Sequence, residues 1–429
     1  MYFGTDGIRG EYGKEITPSL AFKCGCSLAN LCKNKKVLIG KDTRLSNDVL
    51  SLSVANGLLS SGVNVIDVGV VPTPVVSYLA QVYGCDYGVM ITASHNPPEH
   101  NGIKIFGSDG YKINENEEEK IEGFFSFAYY VSFEKLGHYS FQPNLVNAYI
   151  NNVLKKCCKL DGLKIVLDCA CGGTSTLAKK IFDHLGGKTI FLNCKNDGAN
   201  INNNCGALHS EVMQNEVIKQ KANVGFAFDG DGDRIVACDE KGNIIDGDDI
   251  LSILANYLNN DEKKVVGTTM SNKGFENYLN KKGISLIRAD VGDKYVAEIM
   301  KEKNISLGGE PSGHIIMKNF SKTGDGLLCA CMLCQILKKE KTNLSNLVKI
   351  KKYPQVNVNV PVQDKFRVLN SEILAQKIID VQKEFDKKGR ILIRASGTEN
   401  KIRIMVEHVN KKMAFKTAQE FESLVNLIK

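Results

Sequence analysis

At 429 residues with 43% hydrophobic side chains, the chain can hold roughly two to four domains and a sizeable core. Its net charge of +7 comes without a basic stripe interleaved with aromatics, which argues against nucleic-acid binding and leaves a weak attraction for anionic substrates. No apolar stretch reaches the ~20 residues of a membrane span, and MYFGTDGIRG lacks the basic and apolar regions of a signal peptide, so the 14 cysteines read as reduced thiols of a cytoplasmic protein.

From the N-terminus the pattern is strand, loop, helix, repeated. KVLIG (36–40) reads as a strand, and SNDVLSLSVANGLLSSG (46–62) as a helix with Ser46 at its N-cap and Gly62 as its stop. VNVIDVGV (63–70) is the next strand, and TPVVSYLAQVYG (73–84) a helix with Pro74 in its first turn. YGVMITAS (87–94) then delivers Ser94 to the C-terminal end of a strand. LKIVLDCA, STLAKKIFDHLGG and KTIFLN repeat the theme from 163 to 193; KKVVGTTM, GFENYLNKKG and ISLIRA repeat it from 263 to 289. Apolar strands alternating with helices indicate parallel sheets with helices on their faces. Cys331 and Cys334 form a CxxC inside GLLCACMLCQIL, where helical spacing makes them small core hydrophobes. The tail, from about Tyr353-Pro354, runs helix, strand, Gly-containing loop, strand, helix, the order of a smaller α+β domain.

Four loops carry chemistry. ITASHNPPEHNGIKIF (91–106) places a hydroxyl beside an imidazole in a segment that Asn96-Pro97 forces to turn. His95 and Ser94 do not make a triad on an extended segment, where neighbouring side chains point apart. VGFAFDGDGDRIVAC (224–238) sets Asp229, Asp231 and Asp233 at alternate positions, facing one way if the backbone is extended. Such repulsion calls for a hard cation, Mg²⁺ or Ca²⁺. The trio also fits positions of an EF-hand loop, with Glu240 at its end, but Arg234 stands where that loop needs Gly and strands flank it. GGEPSGH (308–314) offers Glu310, Ser312 and His314 in a Gly-rich turn; a capping turn explains it equally well. RASGTENKIRI (394–404) offers Arg394, Ser396, Gly397 and Thr398, an anion-binding nest or a plain hairpin turn. No Walker P-loop, dinucleotide fingerprint or nucleophile elbow occurs.

In this order TASHNP, DGDGDR, GEPSGH and RASGTE resemble the loops of the α-D-phosphohexomutase superfamily, across essentially the whole chain. The resemblance implies three similar mixed α/β domains plus a smaller C-terminal α+β domain around a central cleft. It divides the chain into 1–137 (phosphoserine loop), 138–242 (metal), 243–350 (sugar) and 351–429 (phosphate). FGTDGIRG, NDGANINNNCGALH, TTMSNKGFENYL, VGDKYV and YPQVNVNV are most similar to the bacterial branch that acts on amino-sugar phosphates. That branch interconverts glucosamine 6-phosphate and glucosamine 1-phosphate for UDP-N-acetylglucosamine and cell-wall synthesis. The glucose and mannose phosphomutases are the competing branch.

The resemblance implies Mg²⁺ on Ser94, Asp229, Asp231 and Asp233, and a phosphorylated amino-sugar substrate with a sugar 1,6-bisphosphate activator. It puts Ser94 in the role of phosphoryl carrier, with Arg9, Lys104 and Arg234 at the centre and Lys104 the candidate acid/base. Glu310, Ser312 and His314 would take the sugar, and Arg394, Ser396, Gly397 and Thr398 the non-transferred phosphate. It also implies a homodimer. The chain departs from the branch at Pro311 (usually Gln), at Lys294 (usually Arg), and at Ala395 and Asn400 (commonly Pro).

Overall fold

In the computed structural model, which describes residues 2–126, 130–258, 263–396 and 400–428, the chain divides into two units. The first comprises 1–268 and 287–348, the second 269–286 and 349–429.

The first sheet of the first unit has a parallel core formed by Tyr87–Ile91, Lys36–Lys41 and Asn64–Val70. The expected all-parallel arrangement stops there. His100–Gly107 returns antiparallel to Tyr87–Ile91, and Gly7–Glu11 pairs antiparallel with His100–Gly107. The second sheet repeats this. Val224–Phe228, Lys164–Asp168 and Lys188–Leu192 are parallel, and Ile235–Asp239 folds back antiparallel on Val224–Phe228. In the third, Lys264–Thr268 runs parallel to Leu307–Gly309, which pairs antiparallel with Ile315–Met317. In each sheet, therefore, the last parallel strand turns through a hairpin, and the turn is one of the chemical loops. The apolar runs read as strands are buried: Val89, Met90, Ile91, Phe226 and Phe228 are fully enclosed.

Helices cover these sheets as the apolar spacing demands. Pro18–Ala29 and Asn47–Ser60 cross where Gly25 meets Gly57. A Cβ at Gly25 would strike the Val54 carbonyl, so only glycine permits that approach. Pro74 lies in the first turn of Thr73–Val82, as read. Ser46 does not cap its helix; its hydroxyl accepts from Asn101 Nδ2 at 2.7 Å instead. Cys329, Cys331 and Cys334 are buried in the helix Gly326–Glu340.

The second unit is an antiparallel sheet of Gln355–Pro361, Lys401–His408 and Gly389–Ala395, covered by Glu372–Phe385 and Lys411–Ile428 around a core of Phe385, Ile404, Val406 and Phe421. Arg390 joins the segment 269–286 to it, donating to Glu407 Oε2 (2.6 Å) and to the carbonyls of Thr269 and Ser271 (2.7 Å each).

Candidate active site

Ser94 sits where Tyr87–Ile91 ends, fully buried, with φ of +53°. A left-handed conformation costs a non-glycine residue about 1–2 kcal/mol. The loop offsets it: Ser94 N–H donates to Thr92 Oγ1 at 2.9 Å, and its carbonyl accepts from Arg44 (3.0 Å) and Asn202 (2.8 Å). The same twist overturns the expectation for His95. The segment is not extended there, and Ser94 Oγ comes within 3.3 Å of His95 Nδ1. Burial, then Arg234 and Arg9, pushes the His95 imidazole down to about 4, so it is neutral near pH 7.

Asp229, Asp231 and Asp233 converge by a turn rather than along an extended strand. Gly232 has φ of +67°, and its N–H closes onto the Asp229 carbonyl at 3.0 Å. The backbone of this turn is gripped from three sides. Thr73 N–H donates to Asp231 O (2.8 Å), Gly173 N–H to Gly230 O (2.8 Å) and Gly326 N–H to Gly232 O (3.0 Å). One oxygen from each carboxylate lies within 4.8 Å of the others, and all three residues are buried. Asp231 Oδ1 and Asp233 Oδ1 are enclosed without a hydrogen-bond partner. Asp229 is pushed well above the usual carboxylate range by burial, then by the charges of Asp233 and Asp231. Three converging carboxylates with unpartnered buried oxygens fit a hard divalent cation. Glu240, the residue that would complete an EF-hand, accepts from Ser345 Oγ at 2.5 Å instead.

Lys104 stands among these carboxylates, 2.8 Å from both Asp231 Oδ2 and Asp233 Oδ2 and 3.4 Å from Asp6 Oδ2. Burial alone would favour the neutral amine, but Asp231, Asp233 and Asp6 outweigh it and hold the ammonium well above its ordinary range. In this arrangement Lys104 is a buried cation paired with Asp231 and Asp233. Burial would raise Asp233 as well; Lys104 and His314 override it and hold the carboxyl at about 2. A second lysine of this network, half-buried, carries no signal in the sequence. Lys112 bridges Asp6 and Asp293, the latter at 2.5 Å. Arg9 pairs with Asp6, and Arg234 N–H donates to Asp229 Oδ1 at 3.1 Å. The Nε of each of these arginines is buried without a partner.

Glu310 is buried, accepts from Gly292 N–H at 3.1 Å, and is raised chiefly by burial. Ser312 is exposed at the tip of the same turn. His314 is buried beneath it, Nε2 facing Asp293 Oδ2 at 3.3 Å and the Gly324 N–H at 3.3 Å. Lys294 donates to Glu118 Oε2 at 2.9 Å.

In the second unit, Ser396 is buried, its carbonyl accepting from Lys365 Nζ (2.9 Å) and its hydroxyl from Arg403 Nη2 (3.2 Å). Arg394 and Arg403 are cross-strand partners in the hairpin. Gly397 and Thr398 lie outside the described residues. Lys365 and Arg403 were not read from the sequence, although Arg403 lies within the quoted run.

Four family descriptions match in chain order: phosphoglucomutase/phosphomannomutase domain I over 1–128, domain II over 146–242, domain III over 246–353 and the C-terminal domain over 357–424. The chain belongs to the α-D-phosphohexomutase superfamily. Among curated relatives of this phosphohexomutase, a "Phosphoglucosamine mutase" of Staphylococcus haemolyticus is 43% identical, covering 97% of this chain and 96% of the relative. One of Finegoldia magna with the same name is 40% identical over 99% and 98%. A phosphoglucomutase/phosphomannomutase family protein from Burkholderia thailandensis shares the fold with a TM-score of 0.83 at 24% identity, covering 98% and 97%. An N-acetylphosphoglucosamine mutase of Aspergillus fumigatus, solved with GlcNAc-6P and magnesium, does so with a TM-score of 0.67 at 16% identity over 99% and 95%. Among the described residues of this phosphohexomutase, no helix is long and apolar enough to cross a membrane.

Proposed function

We propose that the chain interconverts glucosamine 6-phosphate and glucosamine 1-phosphate, through a phosphorylated Ser94 and a bisphosphorylated sugar, in the supply of UDP-N-acetylglucosamine. The observation that carries this reading is the junction of Ser94 with the aspartate turn, Oγ to Asp229 Oδ2 at 2.5 Å, in a chain 40–43% identical to full-length relatives of that name.

The phosphoryl group on Ser94 passes to the free hydroxyl of the sugar monophosphate: the Ser94 Oγ–P bond breaks as the sugar O–P bond forms, and the hydroxyl's proton goes to the Ser94 oxygen. The bisphosphate reorients, and its other phosphate returns to Ser94. Catalytic sugar 1,6-bisphosphate would prime the serine. Asp229, Asp231 and Asp233, with a phosphoserine oxygen, would hold Mg²⁺. When bound, that ion offsets charge on the transferring phosphoryl group in its loose transition state. Arg9 and Arg234, each with an unused buried N–H, supply charge-assisted hydrogen bonds to phosphate oxygens. Lys104 contributes positive charge beside the carboxylates and is the candidate general acid/base. Glu310 and Ser312 recognise sugar hydroxyls, with His314 fixing their turn from below. Arg394, Ser396, Gly397 and Thr398 grip the phosphate that is not being transferred.

The test is a mutase assay with Mg²⁺ and catalytic glucose 1,6-bisphosphate, comparing glucosamine, glucose and mannose 6-phosphates. A kcat/KM at least tenfold higher for glucosamine, worth ~1.4 kcal/mol, supports the reading. A win for glucose or mannose would move the chain to the competing branch and point to Pro311. No turnover with any sugar would refute the mutase.

A further inference from the structure

Arg44 carries no role in the reaction above, yet its side chain is tightly held beneath Ser94. It is 2% exposed. A guanidinium has five N–H donors, and all of them are used here. Nε donates to Asp42 Oδ2 at 3.1 Å. Nη2 donates to the carbonyls of Ser94 (3.0 Å) and Asn96 (2.8 Å). Nη1 donates to the carbonyls of His100 (2.7 Å) and Pro97. Four carbonyls of the serine loop thus point at one buried cation.

The grip reaches both ends of Ser94. Asp42 Oδ2 also accepts from Thr92 Oγ1 at 2.5 Å, and Thr92 Oγ1 accepts the Ser94 N–H. Asn202, delivered from the second sheet's side, adds Nδ2 donation to the Ser94 (2.8 Å) and Asn96 (3.1 Å) carbonyls. The left-handed φ of +53° at Ser94 is therefore over-determined from both of its peptide groups. The Ser94 hydroxyl meets His95 Nδ1 and Asp229 Oδ2, not Arg44. The charge of Arg44 is spent on the carbonyls beneath, so it acts on geometry rather than on the phosphoryl group itself.

We propose that Arg44, assisted by Asn202, is the positioning residue that holds Ser94 in one conformation in both its phosphorylated and free states. This rests on the reading of Ser94 as phosphoryl carrier. The reaction requires it: the same loop must donate a phosphoryl group and then accept one back, and a misplacement of about 1 Å can cost on the order of 100-fold in rate. A lysine at position 44 would keep the charge but lose the planar fork.

The test compares wild type with Arg44→Lys and Asn202→Ala in the full chain with Mg²⁺. Three quantities are read: kcat, KM for the sugar phosphate, and the rate at which Ser94 takes up phosphate from glucose 1,6-bisphosphate by intact mass. Arg44→Lys is expected to lose about 30- to 100-fold in kcat and in phosphate uptake, and Asn202→Ala about tenfold, with KM within about threefold of wild type. A kcat within threefold in both variants, or a loss confined to KM, overturns the proposal. Should Arg44→Lys not fold, Asn202→Ala decides by the same criteria. Wild type that is phosphorylated but prefers another sugar sinks only the substrate reading and leaves this comparison standing. Wild type that takes up no phosphate sinks both.

Discussion

The hydroxyl of Ser94 donates to Asp229 Oδ2 at 2.5 Å, although 135 positions separate the two residues and different sheets carry them. Each sits at the turn of a hairpin within its own sheet. The contact joins the proposed phosphoryl carrier to the candidate cation-binding turn. Ser94→Ala should therefore remove the chemistry and little else. Turnover is expected to fall by at least about 1000-fold, with no mass gain from the sugar bisphosphate. The small hydroxyl is fully buried, so the unfolding midpoint should shift by only a few degrees. Residual turnover near wild type would rule out the phosphoserine.

The carboxylate trio should link cation binding to stability. A ligand that binds only the folded state stabilises by RT ln(1 + [L]/Kd), about 2.7 kcal/mol at 100 times Kd. Magnesium should raise the unfolding midpoint of wild type, and EDTA should reverse the rise along with activity. Asp231→Asn combined with Asp233→Asn should abolish the magnesium-dependent part. A midpoint indifferent to magnesium in wild type would contradict the site.

Lys112 offers a test of the buried charge network. It bridges Asp6 and Asp293, with all three side chains 11–18% exposed. Removing one member of such a group leaves the others short of a partner, which costs about 3–5 kcal/mol when fully buried and roughly 2–4 kcal/mol at this exposure. Lys112→Met should destabilise by that amount in urea. Lys112→Met with Asp293→Asn should be less destabilised than the single change, because one orphaned charge is removed. An additive double variant would mean the three charges do not act together.

Asp325 sets a pH dependence of definite sign. It caps the helix Gly326–Glu340 through Leu328 N–H (3.0 Å) and accepts from Tyr149 O–H (2.8 Å). Burial pushes its carboxyl up from 3.8 to about 6. A folded value above the unfolded one means that the protonated form stabilises. That contribution is complete below the unfolded value and is lost as pH rises through about 6. Asn accepts the same bonds and carries no charge. Relative to wild type, Asp325→Asn should gain roughly 2–3 kcal/mol between pH 4 and pH 7.5 in urea unfolding. A pH-independent difference would show that Asp325 is ionised without penalty.

The four loops were legible because each packs its chemistry into one short run between apolar strands, as DGDGDR does between VGFAF and IVAC. The sheets were legible in content but not in direction. An apolar run such as IKIF reads the same whether it enters a sheet parallel or antiparallel, and only the hairpin after Ile91 decides. The residues missed share one property: their burial is created by distant packing. Lys112 resembles any solvated lysine until Asp6 and Asp293 close on it. Arg44 in KDTR reads as a loop charge, and Asn202 is one of several asparagines in ANINNN. His95 was misjudged because a serine in the left-handed region is not foreseeable from its neighbours.

The three N–H groups that grip the aspartate turn belong to the starts of helices, or lie just before them: Thr73–Val82, Ser175–Leu185 and Gly326–Glu340. A helix start carries the equivalent of about half a positive charge. Three macrodipoles therefore bring their positive ends to the backbone of the aspartate turn. The scaffold is itself a fractional counter-ion there, which explains how three carboxylates can be folded together ahead of the cation. It also ties the turn's electrostatics to these helices: fraying the first turn of any one of them would weaken the turn's fractional counter-charge.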